Sequence, residues 1–231
     1  MDGVAPLEDK AFKMFMNSEE WFKAVAGWIL DDPLPDGELK KIDGELFLFV
    51  NTKYIRMDNF RESEAGVVNM EGQRNKYEFI FKRHLYYWAL AYISPFQAGQ
   101  KYEELKPAIS IVIYEDNGDA AVIEKAYIAG PLAKSSGVEA QLTMIAVNAA
   151  KWQEAPSKEL KEYLAILHNG VYNKETSNKF TGIDTNSPSF KKLNDSIRIA
   201  SAQVLYTDAE ERGDSVMVNF MNDFLTEENH S

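Results

Sequence analysis

Apolar residues recur along this chain in two rhythms, one helical and one extended. Positions 11, 12, 14 and 15 are apolar within Leu7–Phe15, and Trp21, Phe22, Val25, Trp28 and Ile29 follow at helical spacing. Ser18 is placed to cap the second of these helices, and the breaker cluster Asp31-Asp32-Pro33-Leu34-Pro35-Asp36-Gly37 ends it. Glu45–Val50 reads as an apolar strand. Lys53–Phe60 and Gly66–Gln73 read as a strand pair joined by the charged turn Arg61–Glu64. Asn75–Phe96 reads as a long helix with Tyr77, Phe81, Leu85, Trp88 and Tyr92 on one stripe and Pro95 at its end. Tyr86, Trp88 and Tyr92 are assigned to the core.

Ala108–Tyr114 has the composition of a buried strand, Asp116–Asp119 that of a turn, and Leu142–Val147 that of a further strand. Strands alternating with helices predict an α/β fold. The last third changes character. Ser157–His168, Ser189–Tyr206 and Asp208–Leu225 read as helices, with a Ser/Thr/Asn/Gly-rich loop over Asn173–Ser189. This predicts a core over residues 1–150 and a helical carboxy-terminal extension over residues 151–231. No internal repeat is present, and the polar residues Thr226–Ser231 predict a frayed end.

Composition narrows the function. The 231 residues hold no cysteine, which excludes disulfides, thiolate metal sites and cysteine nucleophiles and fits a cytoplasmic compartment. No apolar run is long enough for a membrane span, and residues 1–9 lack the pattern of a signal peptide. The net charge of -11 argues against a protein that coats nucleic acid with a basic surface. That charge is uneven: residues 51–110 hold nine Lys/Arg against seven Asp/Glu, or +2, which leaves -13 for the other 171 residues.

The non-acidic segment also carries the candidate chemistry. Asp58 is followed thirteen residues later by Glu71-Gly72-Gln73. Residues i and i+2 of a strand share a face, so Glu71 and Gln73 point into one site, with Asp58 supplied by the preceding strand. Hard divalent cations prefer such oxygen ligands. Arg83 and Tyr87 lie one helical turn apart just downstream, a placement suited to phosphate contact, and Arg74 and Lys76 could add to it. His84, His168 and His230 lack metal-ligand spacing and are assigned to core or surface. Gly130-Pro131 reads as a turn and Ser135-Ser136-Gly137 as a loop without the context of a nucleophile elbow, and no phosphate-binding glycine loop is present.

Five pieces in order carry a resemblance: Phe12-Lys13 within Asp9–Phe15, Arg56-Met57-Asp58, Asn69–Gln73, Arg83-His84-Leu85-Tyr86-Tyr87, and Gly99–Pro107. The chain resembles the PD-(D/E)XK nucleases, in particular the Rpn-type recombination-promoting nucleases, also called PD-(D/E)XK family transposases. The resemblance covers roughly residues 7–150. It implies a restriction-endonuclease-like core, a central mixed sheet flanked by helices. It also implies a DNA endonuclease that hydrolyses phosphodiesters with Mg²⁺, or Mn²⁺ in its place. Asp58 and Glu71 would be metal ligands, joined by the backbone carbonyl of Gly72. Asp9 would be a further acid from the first helix, where it equally suits an N-cap, and Glu20 is its rival. Gln73 stands where the wider superfamily keeps a Lys, so it can bond a water but adds no charge. Such cores often act as homodimers. A second function fits the same residues: a nuclease fold with little or no cleavage that binds a partner protein through its acidic surface.

Overall fold

The computed structural model describes residues 6–7, 9–32, 34, 39–41, 59–63, 66–74, 78–93, 99–139 and 141–228. Helices α1 (Asp9–Met16) and α2 (Glu19–Leu30) come first. Then follow β1 (Lys40–Lys41), β2 (Asn59–Ser63), β3 (Gly66–Gln73), α3 (Ile80–Ile93), β4 (Ala108–Tyr114), β5 (Ile123–Tyr127), α4 (Pro131–Ser136) and β6 (Leu142–Asn148). Helices α5 (Lys158–Asn169), α6 (Pro188–Arg212) and α7 (Ser215–Glu228) complete the described chain. The expected strand over Glu45–Val50 lies outside the described residues. So do the expected strand residues 53–58. The chain divides into two compact units, one of residues 33–148 and one of residues 1–32 with 149–231.

The first unit is built on a mixed six-stranded sheet in the order β1-β2-β3-β4-β6-β5. The pair β2–β3 is antiparallel, β3–β4–β6 are parallel, and β5 returns antiparallel to β6. With the helices around it, this is the restriction-endonuclease-like α/β fold. The parallel step from β3 to β4 needs a crossover, and α3 supplies it. In β4, Ile111, Val112, Ile113 and Tyr114 are fully buried, as a central strand requires. Each such side chain stabilises the fold by about 1.5–3 kcal/mol. Trp88 of α3 packs with Phe60, Val67 and Ala108, and its indole Nε1 donates to the Ala108 carbonyl at 3.0 Å. Asn148 closes the turn after β4: its amide donates to the Asp116 carbonyl and accepts from the Asp116 N–H.

Four sequence readings are corrected. The strand before Gly66 runs on through Arg61-Glu62-Ser63, which had been read as a turn, because Ser63 already pairs with Gly66. Helix α6 is one element of 25 residues, so the expected break near Thr207 is absent. It ends at Gly213, which takes the left-handed conformation (φ 69°) and donates to the Ala209 and Glu210 carbonyls. Gly130-Pro131 and Ser135-Ser136 bound a short helix, α4, with Pro131 at its first turn. Finally, α3 buries only part of the expected stripe: Trp88 is buried and Phe81 and Tyr92 pack on core residues, joined by the buried Ile80, His84 and Leu90, whereas Leu85 and Tyr86 are exposed.

Gly66 opens β3 where Val67 donates to the Pro107 carbonyl at 2.8 Å. A Cβ at Gly66 would stand 2.7 Å from that same oxygen. Gly66→Ala is therefore expected to lower stability by about 1–3 kcal/mol, read from the denaturant midpoint.

The second unit is helical. Ser18 caps α2, its Oγ accepting from the Trp21 N–H, as its position in sequence suggested. Phe15 and Trp28 flank the buried Tyr163 of α5, and Lys10 of α1 pairs with Asp208 of α6. Glu20 of α2 pairs with Lys192 of α6 at 2.6 Å. No helix among the described residues is long and apolar enough to cross a membrane.

Candidate functional site

The β3 strand alternates as its sequence predicts. Val67, Asn69, Glu71 and Gln73 share one face, and the β4 register sets Ala108, Ser110, Val112 and Tyr114 beside them. Helix α3 covers this face. Ile80 and Phe81 pack on Val112 and Tyr114, and Trp88 packs on Val67 and Ala108. A carboxylate and three more polar side chains, Asn69, Ser110 and His84, are thereby enclosed among apolar ones.

Glu71 is only 2% exposed. Its Oε1 accepts from the Asn69 amide at 3.3 Å and its Oε2 from Arg83 Nη2 at 3.4 Å. Arg83 is half-exposed, donates through Nε to the Tyr87 hydroxyl at 2.8 Å, and lies with its guanidinium 5.0 Å from the Tyr87 ring. One guanidinium thus ties the exposed side of α3 to the buried carboxylate. The 2.8 Å bond to Tyr87 is the short one; the 3.4 Å pair with Glu71 acts mainly through opposite charge.

Behind Arg83, His84 is buried and its ring meets Tyr87 edge-on at 5.9 Å. Burial holds the imidazole down to about 4, and the neighbouring Arg83 charge pushes the same way. Its Nδ1 makes no hydrogen bond among the described residues, nor do Asn69 Oδ1 and Ser110 Oγ.

The structure brings together Glu71, Arg83 and Tyr87 of the sequence candidates, and sets Gln73 on the strand face of Glu71. Gly72 lies on β3 between Glu71 and Gln73, and Arg74 is exposed just past the strand. Asp58 and Lys76 lie outside the described residues. Asp9 is the first residue of α1, in the helical unit, and its side chain is not described. Sequence reasoning missed Asn69, which orients Glu71. The available signal was a lone polar residue two positions before Glu71 in the apolar run Val67-Val68-Asn69-Met70, on the same face.

The family model of the PD-(D/E)XK nuclease family transposase matches residues 48–212. The chain belongs to this family. No curated protein and no solved structure is significantly similar to it. The PD-(D/E)XK match spans both the sheet with Glu71 and much of the helical unit, and it places the chain among nuclease- and transposase-like proteins.

PD-(D/E)XK nucleases generally use divalent metal ions. Among the described residues, no three His, Asp or Glu side chains are grouped to hold one. The donors on this face of β3 are nevertheless oxygens suited to a hard cation: the Glu71 carboxylate, the Gln73 amide and the buried Asn69 Oδ1, which no described hydrogen bond occupies. The chemistry of the donor set therefore fits such an ion, provided a second carboxylate joins it.

Proposed function

We propose that the chain is a metal-dependent DNA endonuclease whose centre is built on Asp58 and Glu71. The observation that carries this reading is Glu71 itself: a carboxylate on the second strand of an antiparallel pair, buried, oriented by an amide and faced by an arginine. Strand β2 begins at the residue after Asp58, and its register sets Asn59 opposite Met70, the residue before Glu71. That supports Asp58 as the second carboxylate.

Asp58, Glu71 and the Gly72 carbonyl would hold Mg²⁺, or Mn²⁺ in its place. The bound ion supplies Lewis-acid polarisation of the scissile phosphate and a more acidic water. The remaining roles fall to the chain's own groups. Gln73, on the face of Glu71, accepts a hydrogen bond from the attacking water and thereby orients it. Gln73 brings no positive charge, and Arg83 supplies it from α3. Its guanidinium carries a fixed positive charge and N–H donors suited to a phosphate oxygen, where negative charge builds as water attacks phosphorus. Tyr87 holds Arg83 in place through the 2.8 Å bond. Asn69 keeps the Glu71 carboxylate from rotating. Arg74 and Lys76 contact flanking phosphates, and a homodimer would let two sites cut two strands. The lack of cysteine supports a cytoplasmic setting.

Isothermal titration with Mn²⁺ tests the metal reading. The wild-type chain takes up the ion, and Glu71→Gln and Asp58→Asn each weaken uptake on the order of tenfold or more. Equal uptake by all three would remove these carboxylates from the metal site. The charge of -11 favours a second reading, a protein-interaction module on the same fold, and metal uptake without DNA cleavage would support it.

A further inference from the structure

The outward side of α3, together with Phe79 just before it, carries an unusual load of apolar surface. Phe79 is 52% exposed, Leu85 51%, Tyr86 40% and Ile93 46%. At helical spacing these positions share one arc with Lys82, whose Nζ lies 5.3 Å from the Phe79 ring. Arg83 sits at the rim of this arc, one turn from Phe79, and reaches Glu71 from there. The exposed rings thus lie next to the residue that reaches the buried carboxylate.

We propose that this face of α3 stacks the bases of unpaired DNA, so that the Glu71 site acts on single strands or on the single-stranded part of a junction or end. The proposal rests on the nuclease reading of Glu71 and narrows its substrate. An aromatic side chain stacks on a base only where that base is free of its partner, and every base offers such a ring face. Binding to duplex draws instead on many cations against phosphates. This chain has no net excess of them: its net charge is -11, and residues 51–110 reach only +2. Duplex DNA carries about one charge per 1.7 Å, twice the linear density of a single strand, so an acidic body opposes duplex more. A single strand also needs cations against its phosphates, but fewer per length, and stacking adds to them through the ring face. Lys82 over Phe79 supplies a local cation beside the ring, as nucleic-acid contact requires. A second copy docked on this face would have to desolvate that ammonium, and charged residues are depleted at the centres of protein interfaces.

The test is fluorescence anisotropy of the full chain in EDTA with labelled oligo-dT and with a blunt duplex of equal length. Oligo-dT binds more tightly than the duplex. Phe79→Ala and Tyr86→Ala each weaken oligo-dT binding on the order of tenfold at unchanged melting temperature, and Phe79→Trp retains it. The proposal is overturned if the duplex binds as well as oligo-dT or if the alanine variants bind unchanged. It is equally overturned if Phe79→Ala and Leu85→Ala dissociate a dimer in sedimentation without altering oligo-dT affinity. No metal is present, so these outcomes stand apart from cleavage: plasmid nicking by a chain that shows no preference for oligo-dT would refute this inference and leave the nuclease reading intact.

Discussion

Glu71→Gln is expected to lower the rate of DNA cleavage on the order of a thousandfold while leaving a folded protein. The carboxylate is the one acidic group on its face of β3, and the substitution keeps its shape while removing its charge. Loss of the charge stabilisation that this group supports is worth several kcal/mol in the transition state, and about 1.4 kcal/mol corresponds to tenfold in rate. Some stability is lost as well. Glu71 accepts from both Asn69 and Arg83, and a Gln side chain turns one acceptor into a donor that faces another donor. That mismatch costs about 1–3 kcal/mol. Rates measured well below the melting temperature of the variant separate the two effects. A variant that cleaves within a few-fold of wild type would exclude Glu71 from the chemistry.

The second large effect is acid destabilisation through His84. The folded chain holds this imidazole at about 4, against 6.5 for an unhindered histidine. An unfolded chain therefore takes up a proton near 6.5 that the folded chain refuses until about 4. Stability falls as pH drops through that window and levels off below it, by about 3 kcal/mol for this group alone. Carboxylates elsewhere also respond to acid, so the informative quantity is the difference between wild type and His84→Gln in denaturant midpoint at pH 7 and pH 4.5. Wild type loses ground to the variant over this range by about 2–3 kcal/mol. A difference that stays constant with pH would show that His84 charges freely in the folded state.

How legible these features were in the sequence depended on whether their cause was local. Ala108–Tyr114 was read to the residue as a strand because a central strand buries both faces and shows as an apolar run. Helix α5 was legible because Ser157 caps it and Gly170 ends it. Strand β5 was not expected, because it lies at the sheet edge and its residues are mostly exposed, which leaves no apolar rhythm to find. In α3, apolar and aromatic residues occur all round the helix, so periodicity alone did not choose the buried stripe. Glu71 and Gln73 were legible from the period of two along a strand, and Arg83 with Tyr87 from the period of a helix turn. The bond between Arg83 and Glu71 was not, since it joins a strand to the crossover helix. The pairing of Lys10 with Asp208, 198 residues apart, was equally out of reach of local pattern.

The central claim is that Asp58 and Glu71 together form a metal-dependent nuclease centre. Its most direct test is nicking of supercoiled plasmid by the wild-type chain in Mg²⁺, in EDTA, and beside Asp58→Ala and Glu71→Ala in Mg²⁺. The account predicts open-circular product from wild type in Mg²⁺ and background levels in the other three reactions. Equal nicking by wild type and both variants, or none by wild type in either Mg²⁺ or Mn²⁺, would contradict it.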